Sequence, residues 1–421
     1  MKVLQYLIWF IPMVIALDQR FCNFPSEEPK KTEDGEQFKE AQSAIVTANI
    51  EFALKLFKQV ASKSSRVKGS PIQNIVISPL SISTTLSTLV LGARSTTYQE
   101  ILDVLNQNHT QEAEMHGALG HLHRTLNQPE SNLQINIGNA VFVDKKMEIL
   151  ERFLNETEHY YQAEIVKTDF TDGPQVKGQI NDHVKSKTDG KIPEVIKDLD
   201  PDTLMVLINF VLFKGEWKRP FVRLLTTNDK FIVDKDTTVN VPMMSNPGVY
   251  NIHHDKKLAC TVIELPYKSE ASMLLILPEE GKIHDVEEAL SVDMLSRWRK
   301  SMGKCNINLH LPKFSITSSL DLKTVLSDLG MAMAFSVQAN FSGMSQDVQL
   351  RVSQAVHKVI LNVDNKGTEG TPFTGFGLTF FAPYPDVKVN KPFLALVIDD
   401  ETNTILFMGR ITNPLKKNVE M

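Results

Sequence analysis

The segment from Ala355 to Pro392 most constrains how this chain can fold. AVHKVILNV alternates apolar and polar residues as a half-buried strand does, and VKVNKPFLALVID reads as a second strand leading to LFMGRITNP. Between them TPFTGFGLTFFAPYP keeps no consistent period. A connection of roughly twenty residues is long for a compact domain, and such segments are usually functional or disordered.

Elsewhere the chain reads as mixed helix and sheet. Leu133 to Val143 alternates like a strand with one wet face, whereas Leu204 to Phe213 is nearly all apolar and reads as a central strand covered on both faces. Ile75 to Ile77 forms a short strand, and Pro79 sits at the first turn of the next helix, where its missing amide costs little. Ile50, Ala53, Leu54 and Phe57 make one apolar helical face in a helix starting near Ala48. Strands dominate from Phe231 onward, which gives a mixed α/β (α+β) pattern with a strand-rich C-terminal half. At 421 residues, length alone permits one, two or three domains.

Met1-Lys2, the apolar run Val3 to Leu17 and the small Ala16 have signal-peptide anatomy, so residues 1–17 are expected to be removed on export. Residues 18–44 are polar, charged and Pro-containing, the composition of a mobile tail. With export expected, Asn108-His109-Thr110, Asn155-Glu156-Thr157 and Asn340-Phe341-Ser342 become glycosylation acceptors at Asn108, Asn155 and Asn340. Of three cysteines, Cys22, Cys260 and Cys305, at least one stays outside any internal bridge; a Cys260–Cys305 pair is one arrangement that spacing permits. A formal net charge of -5 gives no global pull toward nucleic acid or anionic membrane, so neither is an expected partner.

Nothing in the sequence supports catalysis. There is no G-x-S-x-G elbow, no G-x-x-x-x-G-K phosphate loop, no G-x-G-x-x-G between strand and helix and no H-E-x-x-H. His116, His121 and His123, and the pair His253-His254, are the only histidine clusters, and they read as solvated or locally bonded side chains rather than metal ligands. No metal, no cofactor and no catalytic residue is expected.

A set of motifs then covers nearly the whole chain in one order: NIVISPLSIS from Asn74, NAVFV from Asn139, Gly190-Lys191-Ile192, LINFVLFKGEW from Leu207, Val241-Pro242-Met243-Met244, Glu264-Leu265-Pro266-Tyr267, Leu311-Pro312-Lys313-Phe314 and DLKTVLSDLG from Asp321. Gly367-Thr368-Glu369 and Asn390-Lys391-Pro392-Phe393 bracket the aperiodic segment. In these motifs the chain resembles the serpin family, and within it the secreted, antitrypsin-like clade. The resemblance implies one domain over residues 45–417, a fold of about three β-sheets with eight or nine helices, and an exposed reactive-centre loop at about 367–386.

It also implies a mechanism. A serine protease attacks the loop, forms an acyl-enzyme, and is trapped when the cleaved loop enters the main sheet as an extra strand. Family spacing puts the reactive bond between Phe381 and Ala382, with Phe380-Phe381 offered to a chymotrypsin-like or kallikrein-like protease; exposed aromatics in an unused loop are the alternative. Trp217 matches the tryptophan below the point where the loop enters the sheet, ordinary core packing being its rival role. Ser78 and Ser81 match residues beneath the sliding strands, although alone they read as a helix cap and a first-turn residue. His357 matches a position that bonds across the same region. His183 stands where the family leads one to expect tryptophan.

The hinge Gly367, Thr368, Glu369, Gly370, Thr371 and Pro372 departs from the inhibitory pattern at its end. Pro372 has no amide to donate to a ladder, and Phe373 adds bulk. The second reading is therefore a non-inhibitory relative that carries a small apolar ligand or acts through a partner. Arg297, Arg299, Lys300 and Lys304 form a basic patch, with 297, 300 and 304 on one face if helical, like the heparin-binding segment of some relatives; a solvated charged face is the commoner explanation. The expected protein is a secreted, extracellular monomer whose partners are a serine protease and a heparin-like glycosaminoglycan.

Overall fold

The computed structural model describes residues 22–23, 36–65, 72–127, 133–200, 202–346, 350–366 and 384–421. In chain order the elements begin with β1 (Cys22–Asn23), α1 (Glu36–Ser65), β2 (Ile75–Ile77), α2 (Pro79–Gly92), α3 (Ser95–Leu105), α4 (Glu112–Leu126), β3 (Leu133–Asp144), α5 (Glu151–Tyr161), β4 (Glu164–Thr168), α6 (Gly173–Lys187) and β5 (Met205–Gly215). Then follow β6 (Thr227–Ile232), β7 (Thr238–Asp255), β8 (Cys260–Pro266), β9 (Ala271–Pro278), α7 (Ile283–Ala289), α8 (Val292–Lys300), β10 (Gly303–Pro312), β11 (Phe314–Asp321) and α9 (Leu322–Asp328). The chain closes with β12 (Gln354–Val363), β13 (Asp386–Lys388), β14 (Phe393–Asp399), β15 (Ile405–Ile411) and β16 (Asn418–Glu420).

Ten strands form one hydrogen-bonded network in the order β1-β10-β7-β8-β9-β14-β15-β2, from which β13 branches at β10 and β6 at β7. The long strands β7 and β10 thus belong to two sheets at once, which produces a three-sheet arrangement with the separate six-stranded sheet β16-β11-β12-β5-β3-β4. Between the larger network and the six-stranded sheet runs α2, packed on β15 and on β3 and β5, with every residue buried. Such a helix carries apolar residues all round its surface. Its Ser and Thr residues are buried too, and that decides what the site below is made of.

Two expectations at the N-terminus are corrected. Helix α1 starts at Glu36 rather than near Ala48, so the tail expected over 18–44 is helical in its last part, and Cys22–Asn23 form a strand. EQFKEAQ contains no Gly or Pro and is rich in good helix formers, so nothing stops the helix growing backward. Cys305 is disulfide-bonded and lies opposite Cys22 in the β1–β10 ladder. Cys260 is free and buried, its thiol pushed up to about 12 by burial, which rules out the Cys260–Cys305 bridge. At the other end, β16 pairs with β11 over Asn418–Glu420, beyond the expected limit of 417.

One glycine matters for packing near the site. The ring of Phe210 on β5 lies over Gly138 on β3, where an added Cβ would come within 1.9 Å of it. Phe210 is buried with Ile180, Val184 and Ile208, so the ring would have to shift within a packed cluster to make space. Gly138→Ala is expected to cost about 1–3 kcal/mol of stability by overpacking, read as a lowered urea midpoint with an unchanged m-value.

Candidate functional site: the seam between two parallel strands

The centre of the six-stranded sheet holds two parallel strands side by side. β12 pairs with β5 from Gln354↔Val206 to Ile360↔Leu212, with no strand between them among the described residues. β12 runs out at Val363 and the last described residue before the long segment is Lys366. A chain leaving there and turning back would run antiparallel to both strands. Inserted between them, it would replace one parallel pairing by two antiparallel ones, which are slightly more stable per residue.

The seam is held from below by a buried polar row. Register places Asn139 on β3 opposite Asn209 on β5, and Asn209 opposite His357 on β12. Asn209 Nδ2 donates to Asn139 Oδ1 at 2.7 Å, and Asn139 Oδ1 also accepts from Thr85 Oγ1 of α2 at 2.6 Å. Ser81 Oγ lies 2.8 Å from Asn209 Oδ1, which also accepts from His357 Nδ1. The other ring nitrogen, Nε2, accepts from the Ser78 N–H at 3.1 Å. Those partners fix the imidazole as neutral with its proton on Nδ1. Full burial holds its pKa down at about 3.

Ser78, Ser81 and His357 lie together beneath the seam, and sequence reasoning missed Asn209, the residue that joins them. Asn209 is the one strongly polar side chain in VLINFVLF, a strand covered on both faces, and that isolation was the available signal. Ser78 does occupy the N-cap position of α2, yet its side chain makes no capping bond; its backbone amide serves the imidazole instead.

Both ends of the long segment are anchored. At its start, Trp217 Nε1 donates to Asp364 O at 3.0 Å, the Trp217 amide donates to Lys366 O at 3.0 Å, and the Phe221 amide donates to Asn365 O at 2.7 Å. The indole is stacked on Tyr267, with centroids 4.4 Å apart. Trp217 is therefore both core and clamp. At the far end, β13 runs parallel to β10, and Asp386 Oδ1 accepts from Asn308 Nδ2 at 2.8 Å and pairs with His310 Nε2 at 2.9 Å. The hydrogen bond from His310 holds the Asp386 carboxyl below its usual range. Lys388 pairs with Asp229 at 2.8 Å. No sequence signal had marked this second anchor.

The hinge Gly367 to Pro372 and the reactive bond Phe381–Ala382 lie outside the described residues. Asn108 and Asn155 are exposed, and Asn340 is half-buried with its Oδ1 accepting from the Ser342 amide. The basic patch does not form one face: α8 ends at Lys300, and Lys304 belongs to β10. Arg299 is ion-paired with Asp400 at 2.6 Å and Glu264 at 3.4 Å, and Arg297 approaches Asp255 at 3.6 Å, which leaves Lys300 and Lys304 as its exposed unpaired cations. Of the histidines, His121 is exposed and His116, His123 and His254 are locally bonded. His116 and His123 are buried, His116 Nδ1 contacting Tyr161 Oη at 2.6 Å, and burial lowers both pKa values to about 4.

Two parallel central strands, a buried polar latch across them and a long segment anchored at both ends make up the site. The family model described as "Serpin (serine protease inhibitor)" matches residues 47–414, and the chain belongs to the serpin family. Alpha-1-antitrypsin of Sus scrofa is 38% identical over 387 residues, covering 91% of this chain and 90% of that protein. Alpha-1-antichymotrypsin of Pongo abelii is 40% identical over 419 residues, covering 96% of each. Among solved structures, human thyroxine-binding globulin complexed with thyroxine superposes with a TM-score of 0.83 at 36% identity, covering 89% of this chain and 99% of that one. The antitrypsin-like branch is thus the right one, and the family is described by protease inhibition rather than by catalysis.

Two outcomes follow from the polar row. Asn209→Ala strands the His357 Nδ1–H in the core, whereas the Ser81 hydroxyl keeps the Ser78 carbonyl as acceptor at 2.9 Å, and the change is expected to cost about 1–3 kcal/mol in urea unfolding. Because His357, His116 and His123 have folded pKa values of about 3 to 4, below the ordinary ~6.5, the unfolded chain binds more protons in that window. Their contribution is fully present above about pH 6.5 and is lost as pH falls toward their folded values, by up to about 1.4 kcal/mol per histidine per pH unit. Unfolding free energies measured between pH 7.5 and pH 5 should fall accordingly, and His357→Gln should flatten the slope.

Proposed function

We propose that this protein is a secreted, single-use inhibitor of a chymotrypsin-like serine protease, with Phe381–Ala382 as its reactive bond. The observation that carries this reading is the direct parallel pairing of β5 and β12 beside the exit of the chain at Lys366. The protease serine Oγ adds to the Phe381 carbonyl, the Phe381–Ala382 bond breaks, and Ala382 leaves as a free amine carrying the transferred proton. The stretch from Gly367 to Phe381, now tethered at one end only, enters between β5 and β12 and drags the acyl-enzyme with it. Insertion gains a ladder on both sides, each bond worth a net ~0.5–1.5 kcal/mol. Supporting export are the signal-like residues 1–17, together with acceptor sites at Asn108 and Asn155 on the exposed surface. Among the described residues no helix is long and apolar enough to cross a membrane.

A second reading, carriage of a small ligand, has its own observation. A cavity of about 580 Å³ opens between α1, α8 and the turn joining β14 to β15, with Val46, Ile50 and Leu295 as apolar wall and Arg299 as a fixed cation. Arg299 is oriented there by Asp400 and by Asn403 Oδ1 at 2.7 Å. The related globulin is complexed with thyroxine, an iodinated aromatic amino acid that carries a carboxylate. Pro372 favours this reading, since a rate penalty of about 1.4 kcal/mol on insertion would slow trapping roughly tenfold.

Incubation with chymotrypsin is expected to give a complex stable to boiling in detergent, at close to one inhibitor consumed per protease. Rapid cleavage with no such complex would contradict inhibition. In that case thyroxine, used as a fluorescence-quenching probe, should bind the intact protein and lose at least about tenfold in affinity in Arg299→Ala, as expected for loss of one charged hydrogen-bonding partner.

A further inference from the structure

Thr157 occupies a position that suits no hydroxyl. Helix α5, packed on α2 and α4, buries Phe153, Thr157 and Tyr161 as one stripe at a spacing of four residues. Phe153 and Tyr161 put rings into the core there, and Tyr161 Oη has His116 Nδ1 as its partner at 2.6 Å. Thr157 is 0% exposed, and its Oγ1 has no hydrogen-bond partner among the described residues. A hydroxyl buried in this way has lost its water and gained nothing in return, and such groups are rare enough to need a cause. Valine is about the same size and would fill the position without that loss, so packing does not require threonine here.

The sequence supplies a cause. Thr157 is the third residue of Asn155-Glu156-Thr157, and an N-linked glycan acceptor needs that hydroxyl as much as it needs the asparagine. In the folded chain the two are separated. Residues two apart on a helix do not face each other, and here Asn155 is exposed while Thr157 is buried. An enzyme cannot hold both side chains at once while α5 is formed and docked. The other two acceptor sequences differ: Thr110 is half-buried, Ser342 is exposed, and neither Asn108 nor Asn340 lies inside a helix. Those two have the surface-loop setting usual for acceptors, and Asn155 does not.

We infer that the Thr157 hydroxyl serves the unfolded chain and not the folded one: Asn155 receives an N-linked glycan before α5 docks, and docking then seals the acceptor sequence. In the transfer, Asn155 Nδ2 bonds to the anomeric carbon of an oligosaccharide carried on a lipid diphosphate. The C–O bond between sugar and diphosphate breaks, the lipid diphosphate leaves, and the amide nitrogen gives up one proton. A chain that folds before this step stays unmodified at Asn155, because the hydroxyl is by then inside the core. The inference rests on the export part of the proposed function and is independent of protease inhibition.

Site occupancy, read by mass spectrometry on the full chain expressed in mammalian cells, tests this with Asn108 as internal control. Glycans are expected at both Asn108 and Asn155. Thr157→Val should lose the glycan at Asn155 alone, and Thr157→Ser should keep it. In protein made in bacteria, without glycans, Thr157→Val should raise the urea midpoint at an unchanged m-value, because the folded state has no use for the hydroxyl. The native unglycosylated chain, offered a purified oligosaccharyltransferase and its lipid-linked donor, should gain no glycan at Asn155. A glycan at Asn108 with Asn155 bare would overturn the inference and leave export standing. A chain retained in the cell and bare at both sites would remove the export reading and the inference with it. An unchanged or lowered urea midpoint in Thr157→Val, or transfer to Asn155 in the native chain, would also overturn it.

Discussion

The contact between Asn209 and His357 ties the rest of this structure together. It crosses the one place among the described residues of the six-stranded sheet where two long strands run parallel with a continuous ladder at the centre. Separating β5 from β12 breaks that ladder and the imidazole–amide bond beneath it, and in a dry core each group left unpaired costs far more than the bond contributes when made. The seam is therefore closed by few groups, and the proposed insertion would exchange them for a full ladder on both sides of the incoming strand. Neutral His357 is essential to this balance, since a charged imidazole could no longer accept from the Ser78 amide.

Under the proposed insertion, the two clamps on the long segment would set when the seam can open. Trp217 holds the chain at Asp364 and Lys366, while Asn308 and His310 hold Asp386 on the edge of β10. With both ends fixed, an extended insertion of the segment would have to stretch it or free one end. Cutting it releases the first clamp from the second. Stability stored in this way lies in pairings not yet made, rather than in strain visible in the closed state.

Much of the fold was legible because the strongest signals are the simplest. The apolar run that became β5, the alternation that became β3 and Pro79 at the start of α2 each follow from covering or exposing one face of an element. The start of α1 was misjudged because charge and helix propensity point in opposite directions in EQFKEAQ, and docking of later turns decided for the helix. At the seam, Ser78, Ser81 and His357 were found only through the family resemblance, whereas Asn209 could have been found from physics, as a lone amide in a strand with no wet face. The single helical face expected for the basic patch did not form because α8 ends before Lys304, and sequence shows cations but not the carboxylates that reach them from distant strands, here Asp400 for Arg299 and Asp255 for Arg297.

The central claim is that the smaller sheet is one strand short and that the chain after Lys366 can supply that strand. Melting temperature, compared between the intact protein and protein nicked once between residues 367 and 385, addresses it most directly. A large upward shift after nicking is what the account predicts, because the freed strand completes two ladders at once. An unchanged or lowered melting temperature would contradict it, and would mean that β5 and β12 stay together whatever is offered to them.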